Sequence, residues 1–113
     1  MGTENKAIDY IRKGYTLING QKIRIGSNID LEESSFIYDF IKNDKSIKDV
    51  LEIGCANGVS SLTISSALNY RDDSFLTIID PYQEKMWGNA GKKILEESNF
   101  ENFRILYDFS ENI

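Results

Sequence analysis

The chain has 113 residues, of which 41% are hydrophobic and 27% are charged, and its formal net charge at pH 7 is −5. This length suits one small core, and the acidic balance weighs against a nucleic-acid or anionic-membrane surface, which favours concentrated positive charge. With no histidine and a single cysteine, the chain's own residues exclude Ser-His and Cys-His catalysis, histidine metal ligands and an intrachain disulfide. No apolar run is long enough to cross a bilayer, and we expect a cytoplasmic protein.

Residues 1–29 predict a short N-terminal extension, which we treat as a region separate from residues 30–113. Apolar residues at helical spacing indicate a first helix over about residues 4–13, which would end at Gly14. Asn19-Gly20 then separates two alternating runs and predicts a β-hairpin over residues 15–25, since a type I′ turn needs positive φ at both central residues.

From residue 30 the chain alternates helices and strands. Asp30 and Glu33 predict a capping box for a helix that ends near Asn43. Its apolar stripe comprises Ile37, Phe40 and Ile41. The later elements are strands over residues 48–53, 75–79 and 103–107, with helices over residues 58–70 and 83–98 between them. Gly88 and Gly91 interrupt the second of these helices. This order predicts an α/β fold with a Rossmann-like parallel sheet and flanking helices, in which Val50-Leu51 indicates cover on both faces.

The turn after the first of these three strands is the most informative segment. The strand ends beside Glu52, a tight turn runs from Gly54 to Gly58, and a helix begins there. This arrangement aims backbone N–H groups at a ligand above the carboxyl end of the sheet. The dinucleotide fingerprint G-x-G-x-x-G does not match, because Ala56 and Val59 stand where its second and third glycines belong.

A second acid, Asp80, ends the next strand at the offset of the ribose carboxylate in adenosine-cofactor folds. Asp80 could instead cap the helix that follows it. Glu52 beside the loop would repel a pyrophosphate but suits a ligand that carries an ammonium and a sulfonium. The residues therefore favour a cationic adenosine ligand, with an NAD-type oxidoreductase domain as an alternative. Cys55 is a small loop residue or, alternatively, a reactive thiol.

Two segments resemble known motifs. LEIGCANGVSSL (residues 51–62) and TIIDPYQ (residues 77–83) look like the first two motifs of class I S-adenosylmethionine-dependent methyltransferases. They are most similar to O-methyltransferases of the catechol, caffeoyl-CoA and macrocin types, which also share an upstream helix like IDLEESSFIYDFI. The resemblance covers about residues 30–113 and implies the N-terminal half of a Rossmann-like domain, truncated after the third strand.

The resemblance implies S-adenosyl-L-methionine as cofactor. Glu52 and the loop would hold its methionine part, with Ser60 at the carboxylate. Asp80 would accept bonds from both ribose hydroxyls, and two residues after it would flank the adenine, with Ser110 at the adenine edge. The implied cofactor-binding residues are Glu52, Gly54, Cys55, Ala56, Asn57, Gly58, Ser60, Asp80, Pro81, Tyr82 and Ser110. No catalytic residue and no metal ligand can be named in this chain.

The resemblance also implies a function. We expect methyl transfer from the sulfonium to an oxygen of a small molecule or sugar, with a non-catalytic or split cofactor-binding module as the alternative. In the complete family fold the first strand of the sheet lies mid-sheet, so a chain truncated after the third strand leaves that strand with an open edge. The edge favours self-association or a partner chain, unless the N-terminal hairpin covers it.

Overall fold

The computed structural model describes residues 5–18, 20–24, 29–69 and 71–113. Its helices are α1 (Ala7–Lys13), α2 (Leu31–Asn43), α3 (Val59–Leu68) and α4 (Ala90–Glu97). Its strands are β1 (Tyr15–Ile18), β2 (Gln21–Arg24), β3 (Asp49–Ile53), β4 (Phe75–Ile79) and β5 (Phe103–Leu106). β1 and β2 form an antiparallel pair, while β3, β4 and β5 form a parallel sheet in that order. The predicted Rossmann-like sheet with flanking helices is therefore confirmed.

The N-terminal helix and hairpin are confirmed within the described residues. α1 ends at Gly14, whose left-handed φ of 76° lets its N–H donate to the Tyr10 carbonyl at 2.9 Å. Asn19 of the predicted turn lies outside the described residues, whereas Gly20 has a φ of 79°. Ala7 is fully buried in a core that it shares with α2, α3 and α4. The division of the chain after residue 29 stays a prediction.

The predicted capping box of α2 is confirmed. Asp30 Oδ1 accepts from Glu33 N at 2.9 Å, and Glu33 Oε1 accepts from Asp30 N at 3.0 Å. At the other end, the Arg71 guanidinium donates to the carbonyls of Ile41 (2.6 Å), Lys42 (3.2 Å) and Ile47. A cation at a helix C-terminus offsets the partial negative charge of the last carbonyls, so both ends of α2 are fixed.

The predicted apolar stripe of α2 is wrong at Phe40, which is 59% exposed. The buried face instead comprises Ser34, Tyr38 and Ile41. Ser34 faces α3, where its Oγ lies 2.7 Å from Thr63 Oγ1. Two hydroxyls that bond each other can be buried at low cost, so a serine can occupy the buried face while Phe40 lies outside it.

The prediction that β3 is covered on both faces is wrong. Val50 packs against the core, but Leu51 is 59% exposed and Ile53 is 65% exposed, because α3 lies on one face and no described residue covers the other. Within the described residues β3 pairs with β4 alone. The hairpin forms a sheet of its own, so it does not cover the open edge of β3.

The predicted helix over residues 83–98 is wrong in its first half. Residues 81–89 form turns, and α4 begins only at Ala90. Gly88 (φ 55°) and Asn89 (φ 61°) are both left-handed, which no right-handed helix tolerates. The turns fold the chain back on itself, and Asn89 N donates to the Gln83 carbonyl at 2.7 Å.

Candidate functional site

The segments after β3, β4 and β5 meet at one edge of the sheet. Ile53 is in register with Ile79, and Ile79 is in register with Leu106. Just beyond the strands, Gly54 N donates to the Ile79 carbonyl at 2.8 Å and Asp80 N donates to the Leu106 carbonyl at 3.0 Å. The glycine loop, the Asp80 turn and the end of the chain therefore share the carboxyl edge, where open α/β sheets bind ligands.

Asp80 holds the glycine loop in place. The residue is 4% exposed, and its Oδ2 accepts from Cys55 N at 3.1 Å and from Ala56 N at 3.2 Å. Oδ1 accepts from Tyr82 N at 3.0 Å. Asp80 thus holds the loop in place and also caps the turn that follows. The sequence left open whether Asp80 binds a ribose or caps the next helix, and this arrangement is close to the capping role.

Sequence reasoning missed Gln83, which is fully buried beside Asp80. Its Nε2 donates to the Ala56 carbonyl at 2.8 Å and to Asp80 Oδ2 at 3.1 Å, and its Oε1 accepts from Gly91 N at 2.7 Å. Its place in the TIIDPYQ segment was the only signal in the sequence. A helical periodicity cannot reveal a side chain that bridges three separate segments.

Glu52 lies on the covered face of β3, at the start of the loop. Its two carboxylate oxygens accept from the hydroxyls of Ser60 and Ser61, in the first turn of α3. Burial raises the pKa of Glu52, the serine bonds act in the opposite direction, and the charge of Asp80 adds to the increase. Both of these bonding partners are neutral, so the ionised carboxylate would gain from a cation.

The glycine loop has an open side and a packed side. Gly54 has a φ of 85°, and a Cβ added there would meet nothing within 4 Å. Gly58 has a φ of 91°, and a Cβ there would lie 2.7 Å from the Gly91 Cα. The concavity beside the loop, between Ile29 and Ser60, is only about 20 Å³. A cavity of that size holds about one water molecule, so a larger ligand would lie across an open rim.

Aromatic side chains follow β4 and β5 at the same edge of the sheet. Tyr82 and Phe109 pack edge to face with ring centroids 5.8 Å apart, and both remain nearly half exposed. Tyr107 donates from its hydroxyl to Asn89 Oδ1 at 2.9 Å. Because Ser110 follows Phe109 directly, the predicted adenine neighbours Tyr82 and Ser110 are brought to one place.

The proteins that are similar to this chain include methyltransferases. No family model matches the chain. Ribosomal RNA large subunit methyltransferase G from two strains of Vibrio cholerae is 30% identical over 83 residues, which are 69% of this chain and 22% of that protein. A Staphylococcus aureus crystal structure, assigned as a caffeoyl-CoA O-methyltransferase, superposes with a TM-score of 0.57 at 28% identity, over 71% of this chain and 36% of that one.

Two further structures share the fold at low identity. A Corynebacterium glutamicum protein superposes with a TM-score of 0.63 at 18% identity, over 96% of this chain and 48% of that one. A protein-L-isoaspartate O-methyltransferase superposes with a TM-score of 0.54 at 16% identity, over 84% of this chain and 28% of that one. This chain has the class I methyltransferase fold. It spans about a fifth of the Vibrio relative and at most about half of these structures.

Within this methyltransferase fold, the predicted cofactor-binding residues all lie at the carboxyl edge. Glu52 lies near the end of β3, and the loop residues follow that strand. Ser60 lies in the first turn of α3, Pro81 and Tyr82 follow β4, and Ser110 follows β5. Cofactor contact stays a prediction for each of them. No described group of three or more His, Cys, Asp or Glu side chains could hold a metal ion. Nor does any helix in that part of the chain combine the length and apolarity that a bilayer crossing requires.

Cys55 has the features of a packing residue in this methyltransferase fold. It is 2% exposed, and its Sγ lies 3.1 Å from Ser61 Oγ. Burial raises the pKa of the Cys55 thiol to about 12, so it stays protonated at neutral pH. Because the thiolate is the nucleophile, these features favour the small loop residue over the reactive thiol.

Proposed function

We propose that this chain carries the cofactor-binding half of an S-adenosylmethionine-dependent methyltransferase. The class I fold and the methyltransferase relatives support the class of enzyme. One observation carries the choice of cofactor: Glu52, a partly buried carboxylate with neutral hydroxyl partners, stands beside a glycine loop whose other side rests on a second carboxylate, Asp80. A pyrophosphate would meet two negative charges there, whereas a cationic ligand would be attracted.

The residues at the rim fit S-adenosyl-L-methionine, which when bound supplies an electrophilic methyl group on its sulfonium. Glu52 would attract the ammonium of the methionine part, and Ser60 would meet its carboxylate at the N-terminus of α3. The open space at Gly54 lets a ligand approach the backbone closely. Asp80 would offer Oδ1 to the ribose, and Tyr82 a ring face to the adenine.

The acceptor that we propose is an oxygen of a small molecule or sugar, in line with the name of the Staphylococcus aureus structure. RNA is a second candidate, because the Vibrio relative is named for ribosomal RNA, although a net charge of −5 weighs against it. A non-catalytic or split module is the alternative to both. A transfer assay with each acceptor, with and without a full-length relative, distinguishes the three. We place the protein in the cytoplasm.

The binding test uses S-adenosylhomocysteine, which keeps the ammonium and lacks the reactive methyl group. We expect calorimetry to show binding to the wild-type chain, and Glu52→Gln to weaken it about tenfold, because the neutral amide no longer attracts the ammonium. The same change should raise the free energy of unfolding at pH 7 by about 0.5–2 kcal/mol. The physical reason is that burial raises the pKa of Glu52, so its ionised form destabilises the folded chain. The gain in stability from Glu52→Gln should vanish below pH 4.5, the ordinary pKa, because the carboxyl is then protonated in both the folded and the unfolded chain.

Glu96→Gln, on the exposed face of α4, makes the same chemical change away from the site. It should alter neither binding nor stability by a measurable amount. Tighter binding of NAD than of S-adenosylhomocysteine would instead favour the oxidoreductase alternative and overturn the proposed cofactor.

We also propose that the open edge of β3 is where the chain self-associates or pairs with a partner chain. Gly54 N and the Lys48 carbonyl both bond to β4. By the alternation of a strand, the backbone groups of Leu51 and Ile53 then face away from β4. These residues also present exposed apolar side chains. An unpaired apolar edge is a template for another strand.

Light scattering after size-exclusion chromatography tests this edge. We expect the wild-type chain to run as a dimer or larger species, and Leu51→Lys to shift it toward monomer, because a charge on an edge strand opposes pairing. Leu17→Lys, at a residue that is 57% exposed on the hairpin, is the matched control and should change nothing. A clean wild-type monomer would contradict the proposal.

A further inference from the structure

The buried Gln83 side chain joins three parts of the site. Its two Nε2 hydrogens match its two acceptors, the Ala56 carbonyl and Asp80 Oδ2. Its Oε1 accepts from Gly91 N at 2.7 Å, and Lys92 N lies 3.4 Å away. The glycine loop, the β4 acid and the first turn of α4 are therefore tied by one amide group. The side chain is fully buried, so water cannot replace these bonds without opening the structure.

This amide increases the difference between the two oxygens of Asp80, because it adds a third donor to one of them. Oδ2 accepts from three donors, namely Cys55 N, Ala56 N and Gln83 Nε2. Among the described residues, Oδ1 accepts from Tyr82 N alone. A carboxylate oxygen has about two lone-pair sites, so Oδ2 is saturated and Oδ1 keeps acceptor capacity.

We propose that Gln83 is a positioning residue of the cofactor site, which fixes Asp80 so that Oδ1 faces the ligand and accepts from a ribose hydroxyl. The inference rests on the proposed function and adds a residue that the motif comparison did not assign. Without the Gln83 amide, Asp80 would lose one of its three Oδ2 donors and the loop carbonyl of Ala56 would lose its partner. The carboxylate could then rotate, and its ability to select for ribose hydroxyls would fall.

A purely structural role for Gln83 predicts a different outcome. Loss of packing or loop order would weaken every ligand by the same factor. Loss of carboxylate orientation would instead reduce the difference between a ligand with ribose hydroxyls and one without. The ratio of two dissociation constants therefore separates the two roles, because a uniform loss cancels in it.

The experiment measures S-adenosylhomocysteine and its 2′-deoxy analogue by calorimetry. We expect the wild-type chain to prefer the ribose ligand about tenfold, and Gln83→Met to bring that ratio close to one. The chain's only other glutamine, Gln21, is exposed on β2, and Gln21→Met should keep the wild-type ratio. A Gln83→Met protein that binds both ligands more weakly at an unchanged ratio would overturn the positioning role.

A wild-type measurement covers the case in which Gln83→Met does not fold. The side-chain amide protons of Gln83 should exchange with solvent at least about a hundredfold more slowly than those of Gln21. The reason is that both Gln83 protons form buried hydrogen bonds. Equal exchange rates would overturn the proposal. Absence of S-adenosylhomocysteine binding to the wild-type chain would overturn the proposed function, whereas binding with an unchanged ratio in the variant overturns only the role of Gln83.

Discussion

Gly91→Ala should lower the free energy of unfolding by about 3 kcal/mol, the upper end of the range for overpacked cores. A Cβ at this position would overlap Cys55 Sγ and lie 3.0 Å from Gln83 Oε1 and 3.2 Å from the Ala56 carbonyl. Neither side chain can retreat, because Cys55 is buried and Gln83 Oε1 is bonded to Gly91 itself. Urea denaturation with linear extrapolation measures the loss.

Two variants show whether space is the cause. Gly88→Ala is the matched control: Gly88 has a φ of 55° but open space around it, so it should lose only about 1 kcal/mol from backbone strain. Cys55→Ala removes the overlapping sulfur and should restore about 1 kcal/mol or more in the Gly91→Ala background. If the two changes merely add, the close contact between α4 and the glycine loop is not what requires glycine here.

Asp80→Ala should lower the free energy of unfolding by about 3 kcal/mol or more. It would leave four N–H donors without their acceptor, namely those of Cys55, Ala56, Tyr82 and the Gln83 side chain. An unsatisfied buried donor costs about 1–3 kcal/mol, and the loop can recover only part of that by admitting water. Chemical denaturation of the purified variant measures the loss.

Asp73→Ala is the matched control for Asp80→Ala. Asp73 makes an ion pair with Lys48 at 2.7 Å, but both side chains are more than half exposed. Exposed ion pairs contribute little to stability, so this variant should unfold at nearly the same denaturant concentration as the wild-type chain. Similar losses in the two variants would contradict the view that Asp80 holds the loop. Because Asp80→Ala also disturbs the loop, the ligand affinity of this variant does not separate loss of the loop structure from loss of a ribose contact.

Much of the fold could be predicted from short segments of the sequence. Asp30 and Glu33 lie three residues apart and predicted the start of α2, because a capping box closes within one turn. The strands ending at Ile53 and Ile79 were predicted from short apolar runs that stop at polar or glycine residues. These features need no distant partner, which is why the chain alone reveals them. The relation of the Gly54–Gly58 loop to Asp80 was also visible, since one helix and one strand separate them.

Other features depended on partners distant in the chain. Periodicity favoured a helix from residue 83, but residues 81–89 form turns in which Gly88 and Asn89 are left-handed, and these turns place Gln83 against the loop. The exposed faces of Phe40 and Leu51 follow from which elements cover them, and an apolar residue by itself does not reveal that.

The sequence by itself determined the order of the elements. It also determined that the glycine loop, Glu52 and Asp80 lie at the carboxyl edge of the sheet, because caps, turns and strand ends depend on residues that are neighbours in the chain. Only the tertiary structure decided that three of the four described side-chain hydrogen bonds of Asp80 go to the loop and Gln83. It also decided that Gly91 must lack a side chain. The physical reason is that hydrogen-bond saturation and close packing are set by atoms brought together from separate segments.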